Sequence, residues 1–131
     1  MAKAVPVPNA ETRPFWEACA RGELLYQFCA VCACAQFYPR AHCARCQGKS
    51  LEWRRSTGEG AVYSHTTVHR APTPAFKELV PYVIALVDLD EGFRMMMNVL
   101  DCDPGRVAIG SRVRVVFRES AGATLPQAVP A

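Results

Sequence analysis

The sequence predicts a mainly β protein in which a short N-terminal helix leads into a zinc ribbon and then into a five-stranded barrel of the OB kind. Two C-x-x-C pairs lie between Cys29 and Cys46 and predict the ribbon. Beyond Gly60 the chain consists of short stretches rich in β-branched and aromatic residues, which predict the strands of the barrel. The turn formers of Ser56–Gly60 separate the two regions.

Length and composition indicate a globular protein with one modest core, or two small lobes that share one. The chain has 131 residues, of which 50% are hydrophobic and 21% are charged. It can therefore bury a core and does not have the composition of a disordered chain. Its formal net charge of +3 is too small to indicate a nucleic-acid-binding protein, although the sign permits one.

Neither a membrane segment nor a secretion signal is expected. The longest apolar run, Tyr82–Val87, is far too short to cross a bilayer, and Met1–Asn9 lacks the apolar core of a signal peptide. Seven cysteines without an export signal indicate a reducing compartment, where metal binding is favoured over disulfide formation. We therefore expect a cytoplasmic protein.

The N-terminal residues predict an extended arm followed by a short helix. Two prolines make regular structure unfavourable in Met1–Glu11. Thr12 suits the N-cap position of the helix, and Pro14 is tolerated in its first turn. Gly22 suits the C′ position, so the helix should end just before it.

Two large aromatic residues dominate this helix. Phe15 and Trp16 lie with Cys19 on one side. The arrangement is typical of a helix that packs on its own core, but exposed aromatic residues also mark protein interfaces. The sequence leaves both roles open, and Phe15 and Trp16 are therefore candidate residues for docking a partner.

Four cysteines have the spacing of a structural zinc site. Cys29 and Cys32 form the first pair, and Cys43 and Cys46 form the second, ten residues later. Two thiolates two residues apart can bind Zn²⁺ from one tight turn, and two such pairs fill its tetrahedral shell. Two disulfides or reduced core cysteines are the alternative. Four sulfur ligands leave no open position, so the metal should stabilise the fold and do no chemistry.

Two further residues near the pairs compete for the ligand positions. Cys34 lies close to Cys29 and Cys32, and only two of these three are needed. Cys32 is favoured because it alone repeats the spacing of the second pair. His42 directly precedes Cys43 and could offer a nitrogen, but four thiolates leave no position for it.

The ribbon also contains a strand and a basic run. Alternating side chains in Leu24–Phe28 predict a strand that leads into Cys29. The stretch from Arg40 to Arg55 holds five cations and a single acid, Glu52. Such a run is usually only solvated, but it could also contact phosphates or an acidic partner.

Five stretches predict the strands of the barrel. Prolines stiffen the loop His69–Phe76 and exclude it from the sheet, and Asp90–Gly92 predicts a hairpin turn. Because the strands are short and lie in one small lobe, we expect a partly open barrel of the OB kind. The predicted strands are Ala61–Val68, Tyr82–Leu89, Phe93–Leu100, Arg112–Phe117 and Leu125–Val129.

Alternation in the fourth of these strands predicts which side chains face the core. Arg112 and Arg114 should share a solvent-facing side, while Val113, Val115 and Phe117 point inward.

Three consecutive methionines occupy the third predicted strand. Met95 and Met97 must face one way and Met96 the other. One set should fill the barrel, and the other should lie outside, where a soft side chain suits a partner surface. Burial of all three by the chain's own ribbon and helix is the alternative.

Motifs spread over nearly the whole chain resemble those of one known family. They are Phe15-Trp16, the two C-x-x-C pairs with Pro39-Arg40 between them, Glu52-Trp53, Gly58-Glu59-Gly60, His69-Arg70-Ala71-Pro72, Pro74-Ala75-Phe76, Pro81-Tyr82-Val83, Leu89-Asp90-Glu91-Gly92, Ile109-Gly110 and Leu125-Pro126. With them the chain resembles the bacterial and archaeal acyl-CoA-associated proteins that join a rubredoxin-like zinc ribbon to a C-terminal OB-fold. The expected domains are an arm and helix (1–22), the rubredoxin-like zinc ribbon (23–56) and the OB-fold (57–131).

The chain departs from the pattern of that family at two positions. Ala33 occupies the place after the second cysteine, where the family usually has glycine. Ala128 lies where an aromatic residue often follows Leu125-Pro126.

The resemblance implies a non-catalytic accessory subunit that binds and supports an acyl-CoA-processing enzyme. It implies a thiolase-like partner first, and a hydratase or an aldolase in some relatives. In such assemblies the subunit braces its partner and helps to line the route of the coenzyme A arm. Candidate contacts with the CoA moiety or the partner are Arg40, His69, Arg70 and Phe76. Arginine can bind phosphate or carboxylate through two hydrogen bonds; an arginine that only anchors its loop is the alternative for Arg70.

A single-stranded nucleic-acid-binding protein is the alternative function, because zinc ribbons and OB-folds often serve that role. It would need aromatic residues interleaved with cations on the face of the sheet. The central hairpin instead carries Met95–Met97 next to Asp88, Asp90 and Glu91, whose carboxylates would repel phosphates. Nucleic acid is therefore not expected as a partner.

An independent enzyme, for example a thioesterase, is the third possibility. His42, His65 and His69 are isolated, and no cysteine outside the two pairs lies in an activating motif. The sequence therefore does not indicate an enzyme on its own, and no catalytic residue is predicted.

Overall fold

The computed structural model describes residues 3–131 as one short helix, a three-stranded sheet and a closed five-stranded barrel. This confirms the predicted fold class; the first two residues of the predicted arm lie outside the described part. Two 3-10 turns, Pro74–Phe76 and Pro104–Arg106, lie in loops. The elements are α1 (Arg13–Ala20), β1 (Leu25–Cys29), β2 (Ala35–Gln36), β3 (Leu51–Arg55), β4 (Glu59–Val68), β5 (Tyr82–Leu89), β6 (Arg94–Val99), β7 (Arg112–Ser120) and β8 (Ala123–Pro130).

The helix α1 begins after Thr12, as predicted, but a different residue satisfies its first amides. Thr12 makes no side-chain capping bond. Instead, the Asn9 side-chain oxygen accepts hydrogen bonds from the backbone N–H groups of Glu11 and Thr12, both at 2.9 Å. The Thr12 hydroxyl in turn accepts from the N–H of Asn9 at 2.9 Å. This reciprocal pair fixes the angle at which the arm enters the helix.

The end of α1 follows the glycine signal in the sequence. Gly22 has φ +77°, a conformation that glycine adopts without a steric cost. Its N–H donates to the carbonyl of Cys19 at 3.0 Å, and the N–H of Glu23 donates to that of Ala18 at 2.9 Å. The two bonds form a Schellman motif and satisfy the last carbonyls of the helix.

The three-stranded sheet has the order β2-β1-β3, with both pairs antiparallel. Its central strand buries one polar side chain, that of Gln27. Gln27 donates to the carbonyl of Arg40 and accepts from the N–H of Arg40, both at 2.9 Å. It also accepts from Gln36 at 2.8 Å. A buried amide with these partners holds the connector between the two cysteine pairs against the sheet.

The barrel has the order β4-β5-β6-β8-β7, and β7 pairs back onto β4. The expectation of a partly open barrel is therefore wrong. Strand β8 extends over Ala123–Pro130 and pairs antiparallel with β7 along its whole length. It also pairs with β6 in the parallel direction, where Val99 lies opposite Ala128, and this contact closes the barrel.

The strands alternate as the sequence predicts. Met95 and Met97 are buried, whereas Met96 is 69% exposed, which confirms that the methionines divide between the two faces and excludes burial of all three. In β7, Arg112 and Arg114 are exposed and Val113 is buried, as predicted. Val115 and Phe117 were also expected to point inward, but they are only half-buried.

Aromatic rings join the ribbon to the end of the barrel. Phe93 of the barrel stacks on Tyr26 of the ribbon with ring centroids 4.7 Å apart. Phe15 of α1 meets Phe37 edge-on at 5.3 Å, and Phe37 stacks on Phe93 at 6.4 Å. These residues belong to or pack against a single hydrophobic cluster. Within the described residues, no helix is long and apolar enough to cross a membrane.

Gly60 provides a test of the barrel packing. A Cβ atom at Gly60 would lie 2.5 Å from the carbonyl oxygen of Asp88 and 3.1 Å from Val87. Because backbone cannot move as freely as a side-chain tip, Gly60→Ala should lower the free energy of unfolding by roughly 1–3 kcal/mol. Guanidinium titration followed by tryptophan fluorescence measures this change.

The matched control is Gly105→Ala, whose Cβ would meet only Asp103 at 3.5 Å, an ordinary contact. It should change the free energy of unfolding by less than about 0.5 kcal/mol, as surface substitutions usually do. Equal effects of the two substitutions would contradict the close approach of β4 and β5.

Candidate metal centre and apolar groove

Four cysteine sulfurs come together at one end of the ribbon. The Sγ atoms of Cys29, Cys32, Cys43 and Cys46 all lie within 4.8 Å of one another. Cys29 and Cys46 are 3.6 Å apart, and Cys32 and Cys43 are 3.5 Å apart. These distances are far longer than the roughly 2.05 Å of a disulfide. They are close to the edge of about 3.8 Å of a tetrahedron with 2.3 Å metal–sulfur bonds, so the four residues fit one structural metal ion.

Two similar turns supply these sulfurs. In the first, the N–H of Ala33 donates to the carbonyl of Cys29 at 2.9 Å; in the second, that of Gln47 donates to Cys43 at 2.9 Å. Ala33 has φ +58° and Gln47 has φ +60°. Both turns therefore place a residue with left-handed backbone directly after their second cysteine. In the first turn this residue is Ala33, at the position where the family usually has glycine, which adopts this conformation without a steric cost.

Backbone amides point at the sulfur of Cys43. The N–H of Cys46 lies 3.5 Å from it and that of Arg45 lies 3.4 Å from it. These two donors, that of Cys46 first, lower the pKa of Cys43 to about 6. The turn thereby favours the thiolate, which is the form that binds a metal.

Cys34 lies outside the four-sulfur group. Its thiol points at the carbonyl of Cys32, 3.6 Å away, and it accepts a hydrogen bond from the guanidinium of Arg45 at 3.1 Å. The bond to Cys34, together with the charges of Cys34, Cys32 and Cys43, raises the pKa of Arg45. Arg45 therefore places a permanent positive charge beside the sulfurs. A divalent ion with four thiolates would carry a net negative charge, which this cation offsets.

The second feature is an apolar groove of about 610 Å³ between the arm, α1, the connector of the ribbon and the barrel. No residue that lines it carries a charge. The ring of Trp16, the ring of Tyr38 and the side chain of Met96 contribute to its walls. Asn98 and Gln127, whose side chains lie 3.3 Å apart, provide polar groups. A mostly apolar site of this size with few polar groups is typical of a binding surface.

The candidate contact residues do not converge on this groove. Phe76 lines it, 5.8 Å from Tyr82 between ring centroids. His69 and Arg70 are exposed in the loop that follows β4. Arg40 lies instead at a shallow depression on the ribbon, with its guanidinium 5.5 Å from the ring of Tyr38.

The two candidate docking residues have different environments. Phe15 is only 2% exposed, because it packs between Trp16 and Phe37. Its ring therefore offers little surface to a partner. Trp16 is half-buried and lines the groove, so the expected docking role depends on Trp16.

The sequence reasoning did not identify Tyr38 or Gln127 as groove residues. Tyr38 is 64% exposed although it is aromatic. Its position beside Pro39, inside the connector of the two cysteine pairs, was the available signal. No local pattern marked Gln127, because its role depends on the pairing of β8 with β6.

Comparison with known families covers most of the chain. Residues 16–52 match the family described as "ChsH2, rubredoxin-like zinc ribbon domain". Residues 53–118 match the family described as "ChsH2, C-terminal OB-fold domain".

Individual relatives are similar over different shares of their length. A "DUF35 domain-containing scaffold protein" of Methanothermobacter thermautotrophicus is 38% identical over 92 residues, which are 70% of this chain and 68% of that protein. A "probable enoyl-CoA hydratase alpha subunit" of Thermomonospora curvata is 34% identical over 115 residues, 88% of this chain but 35% of that subunit. This chain thus spans about a third of the hydratase subunit.

A solved structure is similar over nearly the full chain. A chain of the "Ltp2-ChsH2(DUF35) aldolase" superposes with a TM-score of 0.84 at 33% identity, covering 96% of this chain and 98% of that chain. Because the superposition covers nearly all of both chains, the two proteins share the ribbon, the barrel and the arrangement of the two in one chain.

Substitution of single cysteines tests the ligand set. Cys32→Ser should reduce the bound metal to a small fraction of one ion per chain, because a hydroxyl is a poor substitute for a thiolate in a tetrahedral sulfur site. Cys34→Ala should retain one ion per chain. Elemental analysis of the purified proteins measures both; loss of metal from Cys34→Ala alone would contradict the assignment.

The left-handed residue of the first turn gives a second test. Ala33→Gly should raise the free energy of unfolding by about 1 kcal/mol, since a left-handed conformation costs an alanine about that much. Ala30→Gly in the same turn, where φ is not positive, is the matched control and should not stabilise. Denaturant titration of the metal-bound proteins measures both free energies of unfolding. Equal changes in the two variants would exclude strain at Ala33.

Proposed function

This chain belongs to the ChsH2 family, and we propose that it is a non-catalytic scaffold subunit of an acyl-CoA-processing enzyme complex. The likeness to the aldolase chain over nearly its whole length carries this proposal. The names of the two relatives, a scaffold protein and a hydratase alpha subunit, agree with it. The chain would hold a partner enzyme in its working arrangement and leave the chemistry to that partner.

The two features of the site suit binding better than turnover. Four sulfurs fill every position of a tetrahedral metal, which leaves none for a substrate or a water molecule. The groove offers mostly apolar walls and three side-chain amides but no charged side chain. General acid–base chemistry needs a titratable group at the reacting atoms. Among the described residues that line the groove, the titratable side chains are the phenols of Tyr38 and Tyr82, without a histidine, lysine or carboxylate beside them.

The metal is zinc. Tetrahedral sites of four thiolates suit Zn²⁺ or iron, and zinc binds without redox chemistry. The ion stabilises the ribbon, because a lobe with one two-residue strand and few buried apolar side chains gains much of its folding energy from the bound metal.

The partner is a thiolase-like enzyme, with a hydratase or an aldolase as the alternatives. The thiolase-like partner rests on the family resemblance. The names of the relatives favour the hydratase and the aldolase. Co-purification from the native host, followed by identification of the bound enzyme, distinguishes the three.

Three exposed polar groups and one residue of the groove are suited to contact with coenzyme A or with the partner. Within the described residues, Arg40 and Arg70 form no ion pair, so their guanidinium groups are free to bind a phosphate or a carboxylate. His69 adjoins Arg70 in the same exposed loop. Phe76 adds an apolar surface at the groove. We assign these four residues to CoA or partner contact.

The charges of the barrel argue against binding of single-stranded nucleic acid. Arg94 is bound to both oxygens of Asp88 at 2.6 and 3.2 Å. Arg112 is bound in the same way to Asp90 at 2.9 and 2.7 Å. Cations that are already paired contribute little to a phosphate-binding surface. Absence of a salt-dependent shift of a labelled oligonucleotide is the expected result.

Co-expression tests the proposed function. The acyl-CoA enzyme that co-purifies with this chain should need it for solubility or activity, and the two should elute together on gel filtration. Trp16→Ala should weaken the complex about tenfold or more, because central aromatic residues dominate binding energies. Metal content and circular dichroism confirm that the variant is folded.

Ile109→Ala is the matched control, since Ile109 is 74% exposed and does not line the groove. It should leave the affinity within about twofold, as most peripheral positions do. If no acyl-CoA enzyme co-purifies with the chain, or if the one that does is fully active and soluble without it, the proposal is wrong.

A further inference from the structure

The seam between β6 and β8 is paired at one end only. Val99 lies opposite Ala128, and the N–H of Leu100 donates to the carbonyl of Ala128 at 2.7 Å. One step earlier, the N–H of Asn98 donates to the side-chain oxygen of Gln127 at 2.8 Å instead of to a backbone carbonyl. A side-chain oxygen thus takes the place of the backbone carbonyl as the hydrogen-bond acceptor at the point where the two strands separate.

Pro126 explains why the pairing stops there. In a parallel ladder, the next bond would run from the N–H of residue 126 to the carbonyl of Met96. Proline has no N–H, so this bond cannot form. The same residue is tolerated opposite Phe117 in β7. The sequence of β8 therefore leaves the carbonyl of Met96 without a partner strand.

The pairing on the other side of β6 fixes the direction of Met96. The N–H of Leu89 donates to the carbonyl of Phe93 at 2.8 Å, which makes Met95 and Met97 the residues that exchange hydrogen bonds with β5. Met96 must then direct both its N–H and its carbonyl towards the seam. Within residues 3–131, β8 supplies no pairing partner for it.

The unpaired edge opens into the apolar groove. Met96, Leu125, Pro126 and Gln127 line the groove, and the side chain of Met96 is 69% exposed. The site therefore combines a backbone donor and acceptor at strand spacing with walls that carry no charge. An acyl chain could fill the apolar space but could not satisfy the two backbone groups. An extended peptide satisfies both.

We propose that the β6–β8 seam binds an extended, apolar and uncharged segment of the partner enzyme, which pairs with the backbone of Met96 as an added β-strand. This inference rests on the proposed function and identifies how the partner is held. Backbone hydrogen bonds supply the register, and Trp16 and Tyr38 receive the side chains that point into the groove.

Substitution at Met96 separates its backbone from its side chain. Met96→Pro removes only the N–H that faces the seam and leaves the ladder with β5 intact, as proline is tolerated on such an edge. It should weaken binding of the co-purifying acyl-CoA enzyme about tenfold or more. Met96→Leu keeps the N–H and a similar volume, and it should bind within about twofold of the original chain. Equal binding by all three proteins would overturn the proposal.

Hydrogen exchange of the unmodified chain keeps the test decisive if Met96→Pro does not fold. The amide of Met96 should exchange about 100-fold more slowly in the complex than in the free chain, whereas that of exposed Ile109 should not change. A complex with an unprotected Met96 amide would overturn the inference and leave the proposed function intact. Absence of any complex would overturn both.

A concentration series of the chain alone excludes the other occupants. The Met96 amide should stay unprotected at every concentration. Protection that grows with concentration would show that a second copy fills the seam. Protection that is constant would show that the chain's own residues fill it. Either result would overturn the assignment to the partner enzyme.

Discussion

The four sulfurs at the end of the ribbon are the constraint on which the rest of the structure depends. The ribbon sheet contains a strand of only two residues and could not hold its loops by packing alone. Once the two cysteine turns are fixed, the connector between them lies against Gln27 and directs Phe37 towards Phe93. The groove exists because this connector, α1 and the barrel are held together.

The barrel is closed, but the β6–β8 seam that closes it is paired at one end only. Pairing of Val99 with Ala128 removes the free sheet edge at one end of the β6–β8 seam. Pro126 and the side chain of Gln127 prevent the ladder from continuing. The protein thus keeps one short stretch of strand edge accessible, next to apolar walls, without exposing a long edge that would promote aggregation.

The ribbon is less basic than its sequence suggests. Arg54 pairs with Glu52 and lies 3.6 Å over the ring of Phe28, and Arg55 approaches Glu23 at 3.9 Å. Arg45 donates a hydrogen bond to Cys34, beside the four-sulfur group. Of the five cations in the run, Arg40 and Lys49 contact neither a carboxylate nor a cysteine among the described residues, so only a small positive surface is left for an acidic group.

The sequence by itself determined the fold class, the four clustered cysteines and the faces of Met95–Met97, because these depend on ligand spacing and on the two-residue period of a strand. Only the tertiary structure decided that the barrel closes, that Phe15 is buried, and that Met96 faces an unpaired seam. Each of these depends on which distant strand or ring lies beside the residue. Pro126 illustrates the difference: its missing N–H is visible in the sequence, but the carbonyl left unpaired belongs to a residue thirty positions earlier, which only the pairing of β6 with β8 identifies.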